Sequence, residues 1–187
     1  DLFWAIKGGG GGSLGVVTKL TLKTRELPTT IGAVLGRIKA SSEAAFRDLI
    51  EQTVGFYASH LLGPRWGEQI IFERQSNTIR INMLFQGLDK QQAESIWKPF
   101  LDALAARQEI SIEDPFTIVA FPARHGWDPA FFAANAPGMM IKDDRPGAPP
   151  TNVFWAGDGG QVGRFLHAYK SAWLPASLLQ DAHRPRL

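Results

Sequence analysis

Between residues 31 and 121 the apolar residues change their spacing in a fixed order, from strand-like to helix-like and back, and that order constrains the fold more than any other feature. "IGAVLGRIKA" (31–40), after a short turn beyond Pro28, reads as a strand. Residues 41–62 switch to helical spacing: Phe46, Leu49, Ile50, Thr53, Tyr57 and Leu61 fall on one stripe, with Ser41 or Ser42 placed to cap the start. "GPRWG" ends that stretch. "EQIIFERQ" and "TIRINMLFQGL" then read as a hairpin around Ser76 and Asn77, with Ile79, Ile81, Met83 and Phe85 on one face. Asp89 and Gln92 have the spacing of a capping box. The helix they open runs to about Arg107 and turns Ala93, Ile96, Trp97, Phe100, Leu101 and Leu104 inward. Pro99 lies inside it, where a kink or break is expected. "EISIEDPFTIVAF" supplies the last strand. The order β-α-β-β-α-β predicts an α+β fold: a ferredoxin-like core at about 31–121, with an antiparallel sheet and its helices on one face.

The flanks differ in character. "GVVTKLTLKTREL" (15–27) alternates Val17, Lys19, Thr21 and Lys23 with Thr18, Leu20, Leu22 and Thr24, which predicts a further strand ended by Pro28. Residues 122–164 are rich in Pro and Gly yet keep Trp127, Phe131, Phe132, Phe154 and Trp155. A loop of that length in a compact domain is functional or disordered, and the aromatics argue for function. The tail is expected to become helical near Pro175.

Composition narrows the classes. Hydrophobic residues make up 44% and charged residues 20%, which suits a globular domain. A net charge of +2 without a long Lys/Arg run argues against a nucleic-acid partner. No apolar run approaches the ~18 residues of a membrane span. The absence of cysteine excludes disulfides, thiolate metal sites and a Cys nucleophile. Four scattered His, with neither HxxxH nor HxH spacing, give no metal signal. Ser171 and Ser177 lack a G-x-S-x-G elbow, so hydrolase chemistry is not indicated.

The glycine run of "DLFWAIKGGGGGSLGVV" (1–17) poses a separate question. Gly10, Gly12 and Gly15 fit G-x-G-x-x-G, but that fingerprint needs a strand before it and a helix after it. A predicted strand follows instead, so the dinucleotide reading fails on context. A bare tether fits poorly between an aromatic and a strand-forming segment. Glycines so placed let backbone approach a ligand, or simply make a turn.

Taken with its flanks, the stretch resembles a signature of the flavin-linked oxidase family related to vanillyl-alcohol oxidase and berberine bridge enzyme, D-L-[FY]-W-A-[LI]-[RK]-G-G-G-G-x-[FL]-G-[VI]-V. "HLLGPRWGEQ", "MLFQGLDKQQAE", "RPGAPPTNVFWAGD" and "LHAYKSAWLPASLL" are similar to bacterial members over most of the chain. The resemblance implies a flavoenzyme with a PCMH-type FAD-binding domain and an α+β substrate domain whose sheet roofs the flavin ring. Residues 1–27 would end the first domain, and 28–187 would form part of the second. Gly8, Gly9, Gly10, Gly11, Gly12, Ser13, Gly15, Val16 and Val17 match the signature and are FAD-contact candidates, mainly through backbone. Relatives carry a pyrophosphate-binding loop upstream and further sheet downstream, so the chain reads as an internal fragment not expected to hold FAD or turn over alone. A cytoplasmic location is favoured, with no leader assessable in a chain starting at Asp1.

In such an enzyme a base takes the hydroxyl proton while hydride leaves the substrate carbon. His125 and the pair His167 and Tyr169, which share one face of a strand, are the candidate bases; the alternative is hydrogen-bonded structural roles beside Trp127 and Trp173. Trp66, Glu68, Trp127 and Trp155 are candidates for lining a pocket for a small organic substrate, although Glu68 also reads as a solvated residue. Asp143, Asp144 and Arg145 read as a charged loop tip. A second class stays open: a cofactor-free, ferredoxin-like binding or interaction domain with no activity of its own. A cofactor-free monooxygenase would leave residues 1–27 without a role. With the 16–27 strand unpartnered, exposed strand edges predict a homodimer.

Overall fold

The computed structural model describes residues 15–113, 116–157, 172 and 174–180. Its strands and helices follow in the order β1 (Thr30–Ala40), α1 (Glu43–Phe56), β2 (Trp66–Glu73), β3 (Thr78–Gln86), α2 (Lys90–Ala105), β4 (Ile110–Ile112), β5 (Thr117–Pro122), α3 (Pro129–Asn135), β6 (Met140–Lys142) and β7 (Val153–Trp155). The main sheet runs β2-β3-β1-β4, with β5 also on β1, and every pairing is antiparallel. This is the α+β fold and strand order that the split βαβ pattern predicts.

Alternation assigns the two faces. Val34 and Ile38 of β1, Ile79, Ile81, Met83 and Phe85 of β3, and Ile118 of β5 are buried beneath the helices. α1 and α2 cover that face together and meet through their own rings: Phe56 stacks on Phe100 and meets the edge of Trp97. Each begins where its sequence offers a cap. Ser42 Oγ accepts from Ala45 N at 3.2 Å. Asp89 accepts from Gln92 N at 2.8 Å while the Gln92 side chain accepts from Asp89 N at 2.9 Å, a complete capping box. Past Phe56 the first helix widens into a π-turn, Tyr57–Leu61, that buries Leu61.

Three expectations change. Pro99 neither breaks nor ends α2, which runs from Lys90 to Ala105. Its ring is on the exposed side, where a long helix already curves outward and water can serve the carbonyl left without a donor. The single strand expected at 109–121 is two, β4 and β5, which pair with opposite ends of β1. The sequence has Pro115 between them, a residue with no N–H for a ladder. Residues 16–27 are not a strand: 15–28 have no regular structure, and Val16, Val17, Leu20 and Leu22 stand mostly in solvent. Alternation makes a segment able to pair, but no described strand pairs with it.

The described part of the Pro/Gly-rich segment is folded. After β5 come a 3₁₀ turn (Ala123–His125), α3 and the β6–β7 hairpin. Near Pro175 the tail forms a 3₁₀ turn, Ala176–Leu179.

Candidate functional site

The sheet face turned away from α1 and α2 has two parts. Its middle is a shallow hollow of about 480 Å³, lined by Leu35, Arg37, Gln69, Ile71, Asn82 and Thr117 among others. Leu84 and Val119 are also partly exposed on this face. Its cations are held in place: Arg80 reaches Glu73 at 3.0 Å, and Glu113 faces Lys39 at 3.5 Å and Arg37 at 4.0 Å. The hollow thus combines apolar surface with charged, partly exposed edges.

At the other end of the face, Phe121 of β5 lies opposite Ile31 of β1 and carries the aromatic segment. Phe131 and Phe132 of α3 meet it at 5.4 and 5.6 Å between ring centroids. Trp155 of β7 packs edge-on against Phe132 at 4.9 Å, and Trp127 against Trp155 at 5.9 Å. His125 stacks on Phe131, with centroids 4.5 Å apart and planes 8° from parallel. The turn carrying His125 fits closely over β1 because Gly126 has no side chain: a Cβ there would stand 2.9 Å from Ile31 Cδ1.

His125 has two polar neighbours. Its Nδ1 lies 3.0 Å from Asp128 Oδ2, and Arg124 Nε donates to its Nε2 at 3.2 Å. Asp128 also caps α3, accepting from Ala130 N and Phe131 N, both at 3.1 Å. The His125 hydrogen bond, and then those backbone donors, hold the Asp128 carboxyl below its ordinary range. It is therefore an ionised, acceptor-only partner at neutral pH. The sequence reading missed Asp128 and Arg124. The signal was present in "HGWDPAFF", an Asp before a Pro that opens a helix.

The sequence-derived candidates separate in space. Trp127 and Trp155 come together next to the His125 segment. Trp66 belongs to the covered face of β2, packed against Phe85 and Trp97. Glu68 pairs with Met83 in the β2–β3 register. His125 stands beyond the Phe121 end of β5, while the hollow reaches Thr117, four residues or about 13 Å along that strand. Gly15, Val16 and Val17 are exposed. Gly8, Gly9, Gly10, Gly11, Gly12 and Ser13, with His167 and Tyr169, lie outside the described residues.

The acidic loop resolves into a clasp. Arg145 grips both oxygens of Asp143, at 2.7 and 2.6 Å, and Asn152 adds a weaker bond at 3.4 Å. The pairing holds the Asp143 carboxyl well below the usual carboxylate range and ties the loop that joins β6 to β7. Among the described residues no three His, Asp or Glu side chains gather as a metal site, and no helix is long and apolar enough to cross a membrane.

Comparison with known proteins gives the chain a chemical neighbourhood. It is 26% identical over 170 residues to the VAO-type flavoprotein oxidase VAO615 of Thermothelomyces thermophilus, covering 82% of this chain and 29% of that protein. It is 31% identical over 119 residues to the FAD-linked oxidoreductase ZEB1 of Gibberella zeae, covering 57% of this chain and 19% of that protein. A 31-residue stretch, 17% of this chain, is 64% identical to an uncharacterized FAD-linked oxidoreductase of Arthroderma benhamiae, of which it covers 5%. No family model and no solved structure matches the chain. The chain is thus similar to FAD-linked oxidoreductases over part of their length. These relatives are fungal and give no support to the bacterial affinity expected from the motifs. The chain spans about three-tenths of the length of VAO615.

Proposed function

We propose that the chain is part of an FAD-linked oxidoreductase that oxidises an alcohol or similar small organic compound. In this reading residues 1–27 end a PCMH-type FAD-binding domain and 28–187 form part of a substrate domain akin to that of berberine bridge enzyme. The observation that carries the proposal is the likeness to VAO615, which runs through 82% of the chain and so extends well beyond the glycine signature.

The open face of the sheet supports it. A flat, partly apolar surface with fixed polar edges suits one side of a planar heteroaromatic ring, and Leu35, Ile71, Asn82 and Thr117 would be its contacts. The described residues include no glycine-rich loop or long-helix N-terminus facing this hollow, so they fit the ring of FAD and not its pyrophosphate. Bound FAD supplies a two-electron oxidant that accepts hydride from the substrate carbon. The chain's own part is to exclude water, orient the substrate and accept a proton. His125, with His167 and Tyr169, are the groups proposed for that last task, and Trp127 and Trp155 for holding the substrate.

A cofactor-free binding domain is the second reading: among the described residues the core cluster is drawn from residues 34–118, which make up the ferredoxin-like unit. Visible absorption spectra separate the readings. The full open reading frame should purify with flavin bands that bleach anaerobically with an alcohol substrate, while the 187-residue chain should retain no added FAD. A full-length protein devoid of flavin would leave the binding-domain reading in place.

A further inference from the structure

The register of the sheet sets two arginines side by side in the hollow. Arg37 of β1 stands directly opposite Arg80 of β3, and both residues line the hollow. Like charges opposite each other on neighbouring strands repel, and an anion placed against both relieves the repulsion. Among the described residues lining the hollow there is no carboxylate: Glu73 and Glu113 stand outside it. Glu73 meets Arg80 through Nε at 3.0 Å, and neither Nη group of Arg80 donates a hydrogen bond to a described residue. The Arg80 fork is therefore anchored from one side and open on the other.

Apolar lining lies next to the pair. Ile71 of β2 is opposite Arg80 on its other side, and Leu35 is two residues from Arg37, on the same face of β1. The hollow thus places a cationic side against an apolar floor.

We propose that the hollow binds a small carboxylic acid with a flat apolar body, its carboxylate taken by the Nη groups of Arg80 beside the charge of Arg37, its body resting on Leu35 and Ile71. A guanidinium presents paired N–H donors that match the two oxygens of a carboxylate, and such charge-assisted bonds exceed those between neutral groups. Glu73 is the internal competitor: its charge offsets that of Arg80 and limits how tightly the acid is held. Under the oxidoreductase reading the acid is the compound oxidised and shares the hollow with the ring, its carboxylate at the Arg37 and Arg80 side. That role rests on the reading. Selection of a carboxylate by the hollow does not, and it is tested without flavin.

Benzoate is the probe, with benzamide as its neutral counterpart, each titrated into the 187-residue chain at low salt and followed by ¹H–¹⁵N spectra. The expected result is saturable shifts at the amides of Leu35, Arg37, Ile71 and Arg80, with benzoate binding about 10-fold or more tighter than benzamide. Added salt should weaken benzoate. Arg80→Gln should weaken it by about 10-fold or more. Glu73→Gln should do the opposite and tighten it, a gain that loss of structure cannot produce. Equal binding of benzoate and benzamide, shifts confined to other surfaces, or an affinity unmoved in both variants overturns the proposal. Inorganic phosphate binding as tightly as benzoate overturns the part given to the apolar body. Visible spectra of the full-length protein decide the oxidoreductase reading separately. A flavin-free protein removes the role as oxidised substrate and leaves the benzoate result standing. A flavin-bearing protein whose 187-residue chain ignores benzoate keeps that reading and overturns the acid site.

Discussion

Phe56 of α1 and Phe100 of α2 lie face to face, their ring centroids 4.5 Å apart and their planes 6° from parallel. This contact joins the two helices to each other, in addition to their packing on the sheet. Phe100→Ala should therefore destabilise the chain by about 3–5 kcal/mol in denaturant titration. Phe100→Leu, which keeps most of the apolar volume, should cost clearly less. Equal losses would mean the stack itself, rather than filled space, holds the helices.

Gly32 and Gly67 give a matched pair of backbone tests. A Cβ on Gly32 would run into Phe85 Cζ and the Val119 carbonyl oxygen, and the backbone oxygen cannot step aside. Gly67 has nothing within 4 Å. Gly32→Ala should cost about 1–3 kcal/mol or more, and Gly67→Ala should stay within about 0.5 kcal/mol. Thermal melts of the two variants side by side are the check.

The Asp89 capping box closes the first turn of α2 with two reciprocal bonds. Asp89→Ala should lose about 1 kcal/mol, and Asp89→Asn, which still accepts at the N-cap, only a small part of that. Hydrogen exchange at Gln92 should accelerate in the alanine variant.

The Asp143–Arg145 clasp sets a pH dependence. A carboxyl held below its unfolded value stabilises the fold above the ordinary carboxylate range, and the contribution fades as pH falls through the lowered folded value. The β6–β7 loop should thus keep its proton-NMR signature through the range where free carboxylates protonate, and lose it only in stronger acid. Asp143→Asn should remove the pH dependence and loosen the loop at neutral pH. Loosening already in the free-carboxylate range would show the clasp to be weaker than its geometry.

β2 is an edge strand of the main sheet, and its outer backbone groups have no described strand beside them. Such edges recruit other chains, so we expect a homodimer through this edge, seen as concentration-dependent sedimentation. One slow-sedimenting monomeric species up to the highest concentration would discard it.

The core was legible because each of its elements buries one face at its own period. Ile79, Ile81, Met83 and Phe85 announce β3, and the stripe from Ala93 to Leu104 announces α2. What period cannot carry is the presence of a partner, which is why 16–27 alternates like a strand and is not one. The site was half legible. His125 stood out as a titratable group among aromatics, whereas Asp128 was missed and gains its role from α3, the helix it caps. Its role comes from two oxygens serving different neighbours, a three-dimensional fact with no one-dimensional period.

The division of the fourth strand bears on how the chain is made. β1 is complete at Ala40, yet the segments that close its second edge begin only at Ile110 and end at Pro122. During synthesis the central strand therefore emerges long before its last neighbours, and the pairing has the high contact order that slows folding. A ribosome-bound chain stopped before Ile110 would present β1 with one bare edge, making this interval the one in which a chaperone has the most to protect.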